Sequence, residues 1–411
     1  MKALCAPLFL ALLYLNPHAS AQTFESPERA WHPMQMEGKQ PKELTPAFGA
    51  ALDLAGTWLE AGDADEDDGL DFALRAFELS TNAWVDSDTW AYAILIGDEE
   101  EFGLEEAAVH YQGLSDSSTL RAGRFFIDFG KQMQSHIHEL PYPERPAVLR
   151  AYLGSELAGT GVQFDSWFPT GDHSTLRYSI GVFDSLSVEE HGHGREEEEP
   201  TSLSVAEYQQ VDEVALTARV SGIHEHGEED FFQWGLSARH VPEFGFEAET
   251  GETGELFARG LDNTVLGFDL TLGFADEGKE AGWIFGAEYL QFTGDLSADI
   301  GGTEASPTLD VFDDDASGYY AWIERRWDEH ESTGVLFSSH EHAEPGMPTD
   351  SEVTVYATRY LTDLSRVRLA FSHFESEEGE DDQRLMLQFT NFLGAHGHGG
   401  HGHGAHEHEE P

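Results

Sequence analysis

The chain has 411 residues, 78 acidic side chains against 22 basic ones, a formal net charge of -56 and one cysteine. Phosphate binding needs basic surface, so nucleic acid is excluded as a partner, and a lone cysteine leaves no disulfide framework or thiol catalysis. So acidic a surface stays solvated and favours the concentration of cations.

Met1 and Lys2 precede a mostly apolar run from Ala6 to Leu15, followed by Ala19-Ser20-Ala21. Residues 1–21 are expected to be a secretory signal peptide cut before Gln22, which would remove Cys5. No later stretch reaches about 18 apolar residues, so no transmembrane helix is expected. Residues 22–45 carry Pro27, Pro33 and Pro41 and read as a partly disordered lead-in.

From residue 46 the chain reads as sixteen stretches of about ten or more residues, the length a tilted membrane strand needs. In the clearest, Val265 to Phe274, the even positions Leu266, Phe268, Leu270, Leu272 and Phe274 are large and apolar. The odd ones are Val, Gly, Asp, Thr and Gly. The same alternation runs through Leu176 to Val182, Val214 to Val220 and Leu385 to Phe389. Period two in long strands means one apolar and one polar face. Arg177, Arg219, Asp269, Glu288, Glu324 and Arg384 fall on the polar side, and a water-filled interior is the expected reason. The fold class is therefore all-β: a transmembrane antiparallel β-barrel of about 16 strands over 46–394, with the apolar face in lipid. Predicted strands include 118–130, 230–241, 263–275, 281–295, 316–328 and 382–394. Connections of 242–262 and 296–315 are expected as outer loops and 223–229 as a long inner turn. Trp84, Trp90, Trp167, Trp283, Tyr319, Tyr320 and Trp327 near strand ends fit interfacial girdles. An even strand count puts the lead-in and the tail, 395–411, on the periplasmic side of a bacterial outer membrane.

Histidines recur in His-x-His pairs: His136/His138, His191/His193, His224/His226, His340/His342, His396/His398, His401/His403 and His406/His408. On an extended segment, i and i+2 point the same way, so both imidazoles reach one ion. Imidazole suits zinc, copper and nickel, and carboxylates complete the set. Glu139, Glu225, Glu341 and Glu407 stand beside or inside these pairs. All fourteen histidines are predicted metal ligands, with divalent metal ions as partners. No cofactor is required, and bound Zn2+, Ni2+ or Cu2+ is the expected ligand. Connection 131–157 is the longest; it either folds into the barrel, carrying His136, His138 and Glu139, or packs over the rim.

Leu120 to Gln132 (LRAGRFFIDFGKQ), Ser135 to Pro141 (SHIHELP), Arg145-Pro146 and Asn391 to Gly397 together resemble porin-like outer-membrane proteins associated with zinc-responsive uptake. They are also distantly similar to the phosphate-selective porins. The resemblance implies an outer-membrane barrel, zinc as the preferred metal, and, as in many porins, a homotrimer. The chain departs from that pattern in two ways. Phe392 is followed by a histidine tail instead of ending the chain, and the basic lumen of phosphate-selective porins is missing.

Two functions follow. One is a passive channel for small solutes, biased towards cations and possessing metal-capturing segments. The other is a barrel-anchored metal-binding or buffering protein without significant conductance. No HExxH, G-x-S-x-G or ordered nucleophile–base pair is present, so an enzyme is not expected. A peptide spanning 395–411 should bind zinc in isothermal titration near neutral pH; a flat titration would remove the tail from the metal-binding set.

Overall fold

The computed structural model describes residues 46–62, 68–97, 102–115, 117–154, 156–189, 201–203, 213–226, 230–250, 254–276, 281–303, 306–342, 349–362, 364–376 and 381–394. The signal, lead-in and tail lie outside the described residues, and with them His191, His193, His396, His398, His401, His403, His406 and His408.

The strands are β1 (Ala47–Glu60), β2 (Gly69–Trp84), β3 (Thr89–Gly97), β4 (Phe102–Ser115), β5 (Ser118–Phe126) and β6 (Glu156–Gly171). They continue with β7 (Ser174–Glu189), β8 (Thr201–Leu203), β9 (Ala215–His226), β10 (Asp230–Thr250), β11 (Gly254–Ala275) and β12 (Gly282–Thr303). The last five are β13 (Ser306–Arg326), β14 (Glu331–Glu341), β15 (Thr349–Thr362), β16 (Ser365–Glu375) and β17 (Asp381–Gly394). Sixteen of them close into one antiparallel barrel, in which β17 returns to β1 with Gly49 opposite Gly394 and Glu60 opposite Gln383. The short β8 adds to the far part of β10, while β9 pairs directly with β7 and β10. Short turns after β2, β4, β6, β9, β11, β13 and β15 share one end with the start of β1 and the end of β17. The longest connections gather at the other end, together with the extended arms of the β10–β11 and β12–β13 hairpins, the asymmetry of bacterial outer-membrane barrels.

The expected alternation is present in three dimensions. On β11, Leu266 is 52% and Phe268 47% exposed, whereas Asp269 is 1% exposed. Ile180, Val182, Leu216, Val220, Leu387 and Phe389 also face outward, and Arg219, Gln388 and Thr390 face in. A continuous outward belt of large apolar side chains would be unstable in water and is stable against acyl chains. Trp283, Tyr319 and Trp327 are exposed at its margins. Trp90 and Tyr320, expected in the girdles, are buried inside. Consecutive strand residues face opposite ways, so Tyr319 and Tyr320 cannot both meet lipid.

Four strands outrun the alternation. β10 to β13 are 21 or 22 residues long, so the connections expected at 242–262 and 296–315 are largely hairpin arms. Only about 9–11 residues cross the bilayer. Beyond it both faces are wet and period two fades, while the ladder runs on to Thr303 opposite Ser306. At the other end β9 reaches His226, which shortens the turn expected at 223–229, and β5 stops at Phe126, before the expected 130.

Placing a charge on the lipid face tests this orientation. Phe268→Arg should cost about 2–4 kcal/mol if its position lies near the bilayer midplane, read as a lower urea midpoint in phospholipid vesicles. An unchanged midpoint would contradict the outward assignment.

Candidate functional site

After Phe126 the chain leaves the wall and enters the barrel. The motif between Leu120 and Gln132 builds this departure. Asp128 accepts a salt bridge from Arg177 (2.7 Å) and a hydrogen bond from Ser179 on β7. Gly130 adopts φ +58 and donates its N–H to Ser237 Oγ on β10 (3.0 Å). A Cβ there would fall on the Glu288 carboxylate, so glycine alone lets the backbone approach β12. Lys131 follows, its N–H donating to Glu288 Oε2 (3.3 Å) and its ammonium to Gln233.

A single 3-10 turn, Ile137–Glu139, then gives way to Leu140-Pro-Tyr-Pro-Glu-Arg-Pro146. Prolines have no N–H to donate, so this stretch offers carbonyls without internal partners. The wall answers with arginines. Arg366 donates to the His138 carbonyl, Arg368 to that of Leu140 (2.9 Å) and Arg75 to that of Pro143 (2.9 Å). Arg384 meets the Glu144 carboxylate at 2.8 Å. Charged donors make such bonds roughly twice as strong as neutral ones. Arg145 turns back onto the carbonyls of Gln132 and Ser135.

Helix α1 (Ala147–Leu153) ends the segment. Val148 N–H donates to Ser338 (3.0 Å), Arg150 reaches Glu352 (2.8 Å) and Tyr152 donates to the Glu341 carbonyl (2.8 Å). Phe129, Met133, Leu140, Tyr142, Val148 and Leu153 are fully buried, with Tyr142 edge-on to Trp322 and Tyr356 of the wall. Of the two placements open for this connection, the inward one is adopted, and it touches most of the circumference.

This changes the meaning of the interior charges. At the level of the segment most of the charges expected to meet water meet protein, while Arg384 keeps 37% of its side chain exposed. Arg177 binds Asp128 and Asp165, Arg219 binds Asp269, and Arg384 binds Glu144. Glu288 accepts from Tyr320 OH (2.8 Å) and Glu324 from Tyr356 OH (3.1 Å). The mixed signs read from the strands are anchors for the segment and for one another.

Among the described residues, two groups of three ligand-type side chains come together, each with ligand atoms within 4.8 Å of one another. The first is His340, His342 and Asp350, at the long-loop end. His340 and Asp350 are opposite each other in the β14–β15 register, and His342 Nε2 lies 2.7 Å from Asp350 Oδ2. Glu341, expected to join this pair, instead accepts from Ser317. The second is Glu78, Glu105 and His136, wholly buried inside the barrel. His136 and His138 do come together, but on a 3-10 turn, not an extended strand. Their neighbour Glu139 accepts from the His136 N–H (3.3 Å), outside the ring cluster. His224 and His226 are exposed at the short-turn end, where His224 Nδ1 meets Ser174 Oγ at 2.8 Å; they join no such group.

Sequence reasoning did not single out Glu78, Glu105, Glu106 or Asp350. The available signal was the doublet Glu105-Glu106 in a strand that otherwise alternates. A β-bulge between the pairs Ile94–Glu106 and Leu95–Leu104 makes Glu105 the extra residue, and both carboxylates turn inward. A second bulge, at Asp53/Leu54, does the same for Arg75.

No protein-family model matches the chain, and no curated protein sequence does. Solved structures do match. Pseudomonas putida OprB at high pH aligns with a TM-score of 0.55 and 10% identity, over 85% of this chain and 94% of that one. The outer membrane channel DcaP of Acinetobacter baumannii gives 0.52 and 11%, over 85% and 97%. The anion-selective porin from Comamonas acidovorans gives 0.52 and 10%, over 85% and 99%. The chain has the fold of an outer-membrane porin. The likeness to zinc-responsive porin-like proteins has no family match beside it and rests on the motifs quoted above.

The Glu144 anchor makes the docking of the segment pH-dependent. Burial alone would raise this carboxyl, but Arg384, then Arg150 and Arg75, outweigh it and hold it down at about 2. Its folded value lies below the ordinary 4.5, so its contribution is fully present above 4.5 and is lost as pH falls through about 2. Hydrogen exchange of residues 140–150, corrected for intrinsic rates, should therefore show steady protection from pH 7 to about 5 and a progressive loss from about 4.5 towards 2. Glu144→Gln should start lower at pH 7. Equal protection in both proteins would show that this ion pair does not hold the segment.

Proposed function

We propose that the protein is a porin-like outer-membrane channel for small solutes, its bore narrowed by segment 127–154 and its permeation biased towards cations. The observation that carries this reading is the segment itself, which runs through a porin-type barrel and is tied to β2, β7, β10, β12 and β14–β17. The fold supports passage, and the inward segment supports control of pore width. The charge of -56 supports the cation bias, because acidic surfaces raise local cation concentration through their field. Outer-membrane lipid covers the apolar belt, and the histidine tail lies in the periplasm by strand parity.

Metal capture belongs to the same proposal. His340, His342 and Asp350 offer two imidazoles and a carboxylate at the mouth that carries the long connections, a donor set suited to zinc and neighbouring divalent ions. Zinc is preferred by the resemblance of the loop motifs. A second reading is favoured by the apolar packing around Tyr142: the barrel as an anchor for metal-binding segments, without significant conductance.

Planar bilayers separate the two. In a potassium chloride gradient, the wild type should conduct with a reversal potential favouring potassium, and deletion of residues 140–150 should raise conductance several-fold. A potential favouring chloride would overturn the cation bias. Current from the deletion variant alone would favour the anchored metal-binding reading, and none from either would overturn the channel.

A further inference from the structure

The second cluster lies where no solute needs to be captured, so it calls for a separate account. Glu78 comes from β2, Glu105 and Glu106 from the bulged part of β4, and His136 and His138 from the inward segment. All five side chains are buried. Three carboxylates in a dry interior need compensating positive charge close by.

The three carboxylates are not equivalent. Glu106 is already occupied: Oε2 accepts from Tyr92 OH (2.8 Å) and the Phe126 N–H (3.2 Å), and Oε1 lies 3.1 Å from His136 Nε2. A carboxylate on one ring nitrogen fixes that nitrogen as the N–H and turns the other towards whatever the histidine ligates. The other nitrogen, Nδ1, is 3.1 Å from Glu105 Oε1 and 3.4 Å from Glu78 Oε1. In the neutral ring this would set an acceptor against two acceptors, which holds only with a cation or an extra proton between them. His138 Nδ1 lies 2.8 Å from the same Glu78 oxygen. Glu105 Oε2 is buried and has no hydrogen-bond partner among the described residues.

These spacings match a coordination polyhedron. Ligand atoms at 2.0–2.2 Å from a tetrahedral zinc stand about 3.3–3.6 Å apart. His136 Nδ1 stands 3.1 and 3.4 Å from the two carboxylate oxygens, and one ligand atom from each of the three residues lies within 4.8 Å of the others, so a modest rearrangement would admit such an ion.

We propose that Glu78, Glu105 and His136 hold one divalent transition-metal ion of the zinc type inside the barrel, with His138 beside them on Glu78, and that this ion fastens the inward segment to β2 and β4. The regulatory half of the proposal rests on the reading that this segment narrows the passage; the site itself does not. Glu106 is a positioning residue, holding His136 through Nε2. Two of the three ligands belong to the wall and one to the segment, so the ion closes a clasp across the gap. Occupancy stabilises the docked segment by mass action, and chelation releases that clasp while the arginine anchors remain.

Metal content and conductance test the two halves separately. Full-length protein in detergent is saturated with zinc, dialysed, and analysed beside Glu105→Gln, which keeps the shape but removes a ligand charge. The variant should hold one tightly bound zinc ion fewer per chain, whether or not the barrel conducts. Wild-type crystals should give an anomalous peak at the zinc edge between Glu78, Glu105 and His136, a measurement that needs no variant to fold. In bilayers, zinc should lower and steady the wild-type current, EDTA should reverse this, and Glu105→Gln should lose the response. Equal zinc content in both proteins, or no peak between those side chains, would overturn the site. A peak with no change in current would overturn the clasp as a regulator.

Discussion

Inside a bilayer no water is available to satisfy a backbone N–H or C=O, so a chain of strands is stable there only when its last edge meets its first. The pairing of β17 with β1 meets that condition, and most of the architecture depends on it. Closure fixes a register, and the register fixes which side chain of every adjacent pair faces lipid. Leu266 and Phe268 are thereby committed outward and Asp269 inward. A ring of this size encloses more space than its own inward side chains fill. The chain supplies the remainder from the connection between β5 and β6.

That connection solves a chemical problem as well as a spatial one. A segment entering a polar interior must find partners for its backbone. This one is proline-rich where it is extended, so it presents mostly acceptors, and Arg75, Arg366 and Arg368 provide the donors. Where it is helical it satisfies itself and presents apolar side chains, which gather around Tyr142, Tyr320, Trp322 and Tyr356. The interior is therefore divided between a small apolar core and a frame of charge-assisted hydrogen bonds. Breaking one partner of such a buried pair leaves the other uncompensated, which makes the frame stiff.

Much of this was legible in the sequence, because period-two alternation is a local property. Leu266 to Phe274 and Leu385 to Phe389 announced their faces, and Arg219 and Asp269 were placed on the polar side from spacing alone. The inward connection was one of two options, and nothing nearby in sequence decides between them, since its partners are far away along the chain. The carboxylates around His136 were visible as strand acids but not as a group. Their convergence needs the bulge that turns Glu105 and Glu106 the same way, and a bulge leaves only the faint trace of a doubled inward residue. Asp350 joins His340 through strand register, across a connection whose length conceals the pairing. Interior charges were read correctly as inward, but which of them bind protein was hidden, because an arginine that binds water and one that binds a carbonyl look alike in a sequence.

The arginine anchors also impose an order in time. The Arg366–His138 and Arg368–Leu140 contacts each join residues 228 positions apart, and Arg384–Glu144 joins residues 240 apart. Arg366, Arg368 and Arg384 lie on the last two strands, so a chain assembled from its N-terminal side has made the segment and its Arg75 anchor long before these three exist. Contacts of such long range are slow to form, because loop-closure entropy must be met first. The segment's contacts with Arg366, Arg368 and Arg384 can therefore be complete only once the final hairpin is in place.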